Sequence, residues 1–309
     1  MLAALVRERI LRAKDMIDPG LEGKVVLVTG ANNPHGIGAA VARAFAKQGC
    51  KVFLHYLRQA VPGAKGARSA EPTEPGAPFY HAQLAQSADG VLAEIRAAGA
   101  DAYAWEGDLS NPNSIPELFD QAERFLGPVE ILVNNAAHWE ADTFVPARAE
   151  LSNNLVELWS DRPQNIAAAV IDRVLAVNTR AVALAIAEFA ARHVQRNARW
   201  GRVVNVSTAG AERFPSEVTY GASKFAVESY TRSAASELGK FGITVNAVSL
   251  GPVQTGWITQ ELERELLSTI PIGRVGEPAD VADVVLFLAS EQARWITGQR
   301  IYVGGGHGM

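Results

Sequence analysis

The sequence predicts one doubly wound α/β domain: a seven-stranded parallel sheet with helices on both faces. Three observations carry this. Seven short runs are apolar throughout rather than alternating, as strands buried on both faces are. Stretches of helical periodicity separate most of them, which implies parallel crossovers. The first run ends in a glycine-bearing turn that opens a helix, as doubly wound sheets use for ligands.

In chain order, Leu2, Val6, Ile10, Ala13 and Ile17 recur at helical spacing and stop at Asp18-Pro19-Gly20. Residues 1–20 therefore read as an amphipathic helical extension that packs on the body or on a partner subunit. The first strand is "KVVLVTG", followed by a helix over residues 37–48. "KVFLHY" is the second strand. Residues 58–87, rich in Pro, Gly and Ala, read as a surface loop. A helix near 89–98 leads to "ADAYAWEGD", and "VEILVNN" is the fourth strand. Residues 135–165 form a second long connection, with a short helix at 151–159. Helices over 165–197, 219–240 and 279–289 then precede "GRVVNVS", "ITVNAVS" and "QRIYVGG" in an alternating series. The body is residues 21–309, with surface insertions at about 58–87 and 138–164. No repeat or second domain is visible.

Composition excludes several classes. Of 309 residues, 48% are hydrophobic and 20% charged, with a net charge of −4. No basic block points to nucleic acid. A single cysteine, Cys50, rules out an internal disulfide and a cysteine-built metal site, and fits a cytoplasmic protein. No apolar run approaches the roughly 20 residues that cross a membrane. Charges from Arg7 onward break any signal-peptide pattern. No His, Asp or Glu spacing suggests a metal.

Two motifs carry chemistry. "VTGANNPHGIGAA" places Gly30, Gly36 and Gly38 in a strand-to-helix turn, although G-x-G-x-x-G does not fit it. Backbone amides and the helix dipole at such a turn can hold a phosphate. A tight turn without a ligand is the alternative. "TYGASKFAVESY" sets Tyr220 and Lys224 one helical turn apart. An ammonium beside a phenol lowers the phenol's pKa, typically by about 1–3 units, toward acid–base use.

From about Leu21 onward the chain resembles the short-chain dehydrogenase/reductase family, and a 3-oxoacyl reductase in particular. That family's turn is T-G-x-x-x-G-x-G; Thr29, Gly30, Gly36 and Gly38 match it with two extra residues, a bulge at 32–34. Enoyl-acyl-carrier-protein reductases also have a lengthened turn, but six residues separate their tyrosine and lysine. The resemblance implies a Rossmann-type domain and a catalytic set of Asn178, Ser207, Tyr220 and Lys224. Ser207 stands thirteen residues before Tyr220 and three before Gly210, which favours it over Thr208. Asn178 would hold the lysine through a water.

The resemblance also implies cofactor contacts from Thr29, Gly30, His35, Gly36, Ile37, Gly38, Asp108, Leu109, Asn135, Ala136, Tyr220, Lys224, Gly251, Val253 and Thr255. The second strand ends in Tyr56 where an NAD-binding acid would stand, with Arg58 beyond it. NADP(H) is therefore favoured over NAD(H), with Tyr56, Arg58 and His35 near the 2′-phosphate. His138, Trp139, Phe214 and Trp257 are candidates for the substrate pocket. The expected protein is an NADP(H)-preferring enzyme that interconverts a carbonyl and a secondary alcohol, with a 3-oxoacyl thioester reductase as one identity the resemblance implies. It is a homo-oligomer, tetramer or dimer, with no nucleic-acid or membrane partner. A non-catalytic NADP(H) sensor, an NAD-dependent alcohol dehydrogenase and an extended-type epimerase or dehydratase are the alternatives. The apolar residues of 138–164 suggest a lid over the substrate mouth.

Overall fold

The computed structural model describes residues 18–60 and 72–308, so the expected N-terminal helix falls almost entirely outside the described residues. The central sheet holds β1 (Val25–Thr29), β2 (Lys51–Tyr56), β3 (Ala102–Glu106), β4 (Ile131–Asn134), β7 (Gly201–Thr208), β8 (Ile243–Leu250) and β9 (Arg300–Val303). Their order is β3-β2-β1-β4-β7-β8-β9, and every pairing is parallel. β1 and β4 are buried at every position, because helices cover both faces.

One apolar layer lies between the sheet and α1 (Ile37–Lys47), α3 (Asp89–Ala97) and α8 (Pro278–Ala289). The opposite layer uses α4 (Ser114–Leu126), α5 (Ala168–Gln195) and α6 (Val218–Leu238). Two further helices, α2 (Ala77–Leu84) and α7 (Gln260–Leu267), lie outside these layers. The chain order reverses between β1 and β4, and ligands bind beyond the strand ends at such a point.

Several elements differ from expectation. The sequence reading assigned no helix to α2, α4 or α7. The 58–87 connection is more than a surface loop, since it contains α2. The expected helix at 151–159 is only a 3-10 turn, Leu155–Leu158. β5 (Asp142–Thr143) and β6 (Gln164–Asn165) pair and close the 138–164 insertion at its base. Although no apolar run of spanning length was expected, α5 is 28 residues long, with a mean hydropathy of 1.5 in one stretch. By length and composition it could cross a membrane. Here Val182, Ala185, Ile186 and Phe189 are buried in the layer against the sheet. A π-helical turn, Ala176–Ala181, interrupts its regular ladder.

Candidate active site

A cavity opens at the C-terminal ends of β1, β4 and β7. Its floor is the glycine turn: Gly30, Asn32, Asn33, Gly36 and Ile37 line it. Gly30 has φ +70°, and a Cβ there would stand 2.8 Å from Ala136 Cα. A Cβ on Gly38 would stand 2.3 Å from Gly30 O. Only glycine allows α1 to start this close to β1 and β4. The two extra residues are structural anchors. Asn33 Nδ2 donates to Thr255 O at 3.0 Å, and Asn32 Nδ2 donates to Leu84 O at 3.0 Å and Gln86 O at 2.9 Å. No side chain caps the first turn of α1, and Gly36 and Ile37 face the cavity there. The Gly36 amide is spent on Asn33 O at 2.9 Å, but the first-turn amides from Ile37 onward and the positive end of the helix fit an anionic pyrophosphate.

Asn135 and Ala136 lie across from the turn and line the cavity. Asn135 Nδ2 donates to the carbonyls of Thr29 and Gly30, both at 2.9 Å. Thr29 Oγ1 accepts from the amides of Asn135 and Ala136, each at 3.0 Å. Thr29 thus joins β1 to β4 from inside the sheet. Asp108, Leu109 and Thr255 also line the cavity. Half-buried Gly251 packs on Gly304, and Val253 belongs to the apolar layer; neither lines the cavity.

The far wall carries Tyr220 and Lys224, one turn apart on α6, with Val206 of β7. Lys224 Nζ donates to Val206 O at 2.9 Å and lies 5.7 Å from the centre of the Tyr220 ring. Burial pushes Lys224 down to about 8. Burial raises the Tyr220 phenol above its ordinary value, helped by the charges of Glu217 and Tyr80. Three hydrogen bonds hold the side-chain amide of Asn178. Its Oδ1 accepts from His138 N at 2.7 Å; its Nδ2 donates to His138 O at 2.9 Å and Ser223 Oγ at 3.0 Å. It ties the segment after β4 to α5 and α6.

Ser207 requires correction. Its Oγ donates to Glu228 Oε1 of α6 at 2.8 Å, and Ser207 is 2% exposed. Successive strand residues face opposite sides. Asn205 and Ser207 point into the α6 layer, whereas Val206 belongs to the opposite layer and lines the cavity. Thr208 shares the side of Val206. Its Oγ1 accepts from Gly210 N at 3.4 Å, which leaves its proton free.

Three of the expected cofactor contacts also lie off the cavity wall. Arg58 Nε donates to Glu106 at 2.9 Å, with the Arg58 side chain 57% exposed. Tyr56 packs into the apolar layer, and exposed His35 packs on Phe79 with ring centres 5.3 Å apart. His55, Leu57, Gln59, Tyr80, Leu84 and His138 line the cavity although the sequence reading assigned none of them to the cofactor. His55 Nε2 donates to Gly107 O at 2.9 Å, and burial pushes this imidazole down to about 4, so it is neutral. Among the described residues, no cluster of His, Cys, Asp or Glu could hold a metal.

Residues 67–307 match the family model described as "Enoyl-(Acyl carrier protein) reductase", and residues 24–90 match "short chain dehydrogenase". The chain belongs to the short-chain dehydrogenase/reductase family and is an oxidoreductase of that family. It is 35% identical to NADPH-dependent aldehyde reductase 2, chloroplastic, of Arabidopsis thaliana, covering 93% of this chain and 94% of that one. It is 30% identical to the 3-oxoacyl-[acyl-carrier-protein] reductase of Staphylococcus aureus, covering 92% and 97%. Among solved structures, a blue fluorescent protein from a metagenomic library in complex with NADPH is similar, with TM-score 0.70, 29% identity, and coverage of 93% and 98%.

Proposed function

We propose that this chain is an NADP(H)-preferring reductase that interconverts a carbonyl and a secondary alcohol in the cytoplasm. The carrying observation is that one cavity holds Tyr220 and Lys224 opposite the uncapped glycine turn. A bound nicotinamide cofactor supplies or accepts the hydride. The first-turn amides of α1 bind its pyrophosphate, and Asp108 and Leu109 border its adenosine half. Lys224, with one proton donated to Val206 O, has two left for a ribose hydroxyl.

In the reducing direction the carbonyl oxygen gains negative charge. Thr208 donates a hydrogen bond to it, and Tyr220 transfers the proton. Burial keeps Tyr220 protonated until that charge develops, as a general acid requires. Asn178 is a positioning residue that holds the His138 backbone and α6 together. The 3-oxoacyl thioester remains a candidate substrate on the strength of the similar Staphylococcus aureus reductase. NADP(H) preference is supported by the lack of an acid at the end of β2 and by the NADPH named for two similar proteins. Arg58, held only in an exposed pair, can turn to a 2′-phosphate at little cost.

The test is a panel of carbonyls and alcohols followed at the nicotinamide absorbance, with NADPH and NADH compared. Turnover with NADPH that disappears in Tyr220→Phe, while NADPH still binds, is expected. Substantial activity in Tyr220→Phe, or tighter binding of NADH than NADPH, overturns the corresponding part of the reading.

A further inference from the structure

The cavity contains a second phenol, supplied by the connection after β2. Tyr80 lies on α2 and lines the cavity together with Leu84, one turn further on, facing the same space as Tyr220, Lys224 and His138. The Tyr80 side chain is half-buried, and burial raises its phenol above its ordinary value. A polar group withdrawn from water gains by meeting a partner, and a ligand in the cavity supplies one.

The helix that carries Tyr80 is fixed from both sides. Asn32, in the bulge of the glycine turn, holds the carbonyls of Leu84 and Gln86. Gly76 N donates to Gly256 O at 2.8 Å, so the loop after β8 holds the other end. A Cβ on Gly256 would stand 2.8 Å from the Phe79 ring, which shows how closely α2 seats there. α2 has no buried residue of its own in the core. Its position comes from these bonds to two walls of the cavity. An element held this way gives little to the core and sets the place of one aromatic side chain.

We propose that Tyr80 is a substrate-contacting, specificity-determining residue whose hydroxyl donates a hydrogen bond to a second oxygen of the substrate. This rests on the carbonyl-reductase reading above. Tyr220 serves the reacting oxygen. The favoured class is then carbonyl compounds with a second oxygen acceptor a few bonds away, such as a 3-oxo ester or a vicinal diketone. The proximity of the two phenols agrees with this, since the Tyr80 charge contributes to raising Tyr220.

The test compares wild type with Tyr80→Phe on ethyl acetoacetate, diacetyl and a plain methyl ketone of matched length. Loss of one neutral hydrogen bond, about 0.5–1.5 kcal/mol, predicts a roughly three- to tenfold fall in kcat/KM for the two dioxygenated probes. The plain ketone should change less than twofold, and so should the NADPH dissociation constant measured by fluorescence. An equal fall on all three probes, or none, overturns the proposal. If wild type reduces none of them, calorimetric binding of diacetyl and ethyl acetoacetate to the NADP+ complex decides. Weaker binding in Tyr80→Phe would keep Tyr80 and sink the reductase reading. Equal binding, or none to either protein, would overturn Tyr80 as well.

Discussion

The hydroxyls of Ser207 and Thr208 face opposite sides of β7. Residue spacing alone favoured Ser207, because it stands thirteen positions before Tyr220 and three before Gly210. Strand phase reverses that choice: Ser207 bonds Glu228 in the helix layer, and Thr208 shares the side of cavity-lining Val206. Thr208→Val should lower kcat on the order of 100-fold, as loss of one donor to a developing oxyanion does, while the NADPH dissociation constant stays within twofold. Ser207→Ala should keep kcat within a few-fold and lower thermal stability, since buried Glu228 loses a donor and keeps only Arg300, at 3.1 Å. The reverse pattern would restore Ser207. A second residue-scale prediction concerns Glu217, whose carboxylate accepts from Trp139 Nε1 and lies beside Asp142. Burial pushes it up to about 7. From its ordinary value near 4.3 up to about 7, the folded protein holds a proton that the unfolded chain releases. Its contribution is complete below the lower value and is lost as pH rises through the upper one. Glu217→Gln should therefore lose less stability than wild type between pH ~5 and ~8. Lys224, pushed down, gives stability that rises with pH, but above about 8, outside this window. Identical pH dependence in the two proteins would remove Glu217 from this role.

The strands and the layer helices α1, α5, α6 and α8 were legible because each carries its own evidence. An apolar run such as Val25–Thr29 must be buried on both faces, and α1 repeats Val41, Ala42 and Phe45 toward the sheet. α4 was legible too, through Ile115, Leu118, Phe119 and Ala122, though it went unassigned. α2 carried no such signal: it buries nothing in the core and is held by Asn32 and Gly256, the latter far along the chain. Tyr80 was unreadable for the same reason. The 138–164 insertion lies between these cases. Its apolar residues predicted that it packs on something, and Trp159 meets Trp257 edge-on at 5.4 Å beside Ile258 and Leu262. Ser216 Oγ donates to Asn153 O at 2.8 Å, which ties the insertion to the segment before Tyr220. These contacts are with the segments after β8 and before α6, and the glycine turn is not among them. Replacing residues 145–163 by a short glycine-serine link should change KM and substrate preference and spare NADPH affinity. Trp159→Ala should move KM in the same direction if the shortened chain does not fold. Unchanged kinetics across several carbonyls in both variants would show that the insertion is not a lid.

Across the whole molecule, large apolar side chains remain on the outer faces of the helix layers. Leu184 and Val194 of α5 are 36% and 41% exposed, and Phe225 and Tyr230 of α6 are 45% and 41% exposed. These are the long helices whose inner faces already cover the sheet. On the other side, Phe287 of α8 is 47% exposed and Trp295, just before β9, is 96% exposed. Single exposed apolar residues need no explanation, but several on adjoining elements mark an interface. Two such regions, one on α5 and α6 and one on α8 and the β9 approach, are what a tetramer built from two kinds of contact requires. Light scattering at micromolar concentration should therefore give four times the chain mass. Phe225→Glu should break the first contact and Trp295→Glu the second, each leaving a dimer, because a charge buried without a partner is costly. The double variant should be monomeric. The sheet and the cavity lie within one chain, so NADPH binding should persist in all three variants. A monomeric wild type would show that these side chains face water and that neither region is an interface.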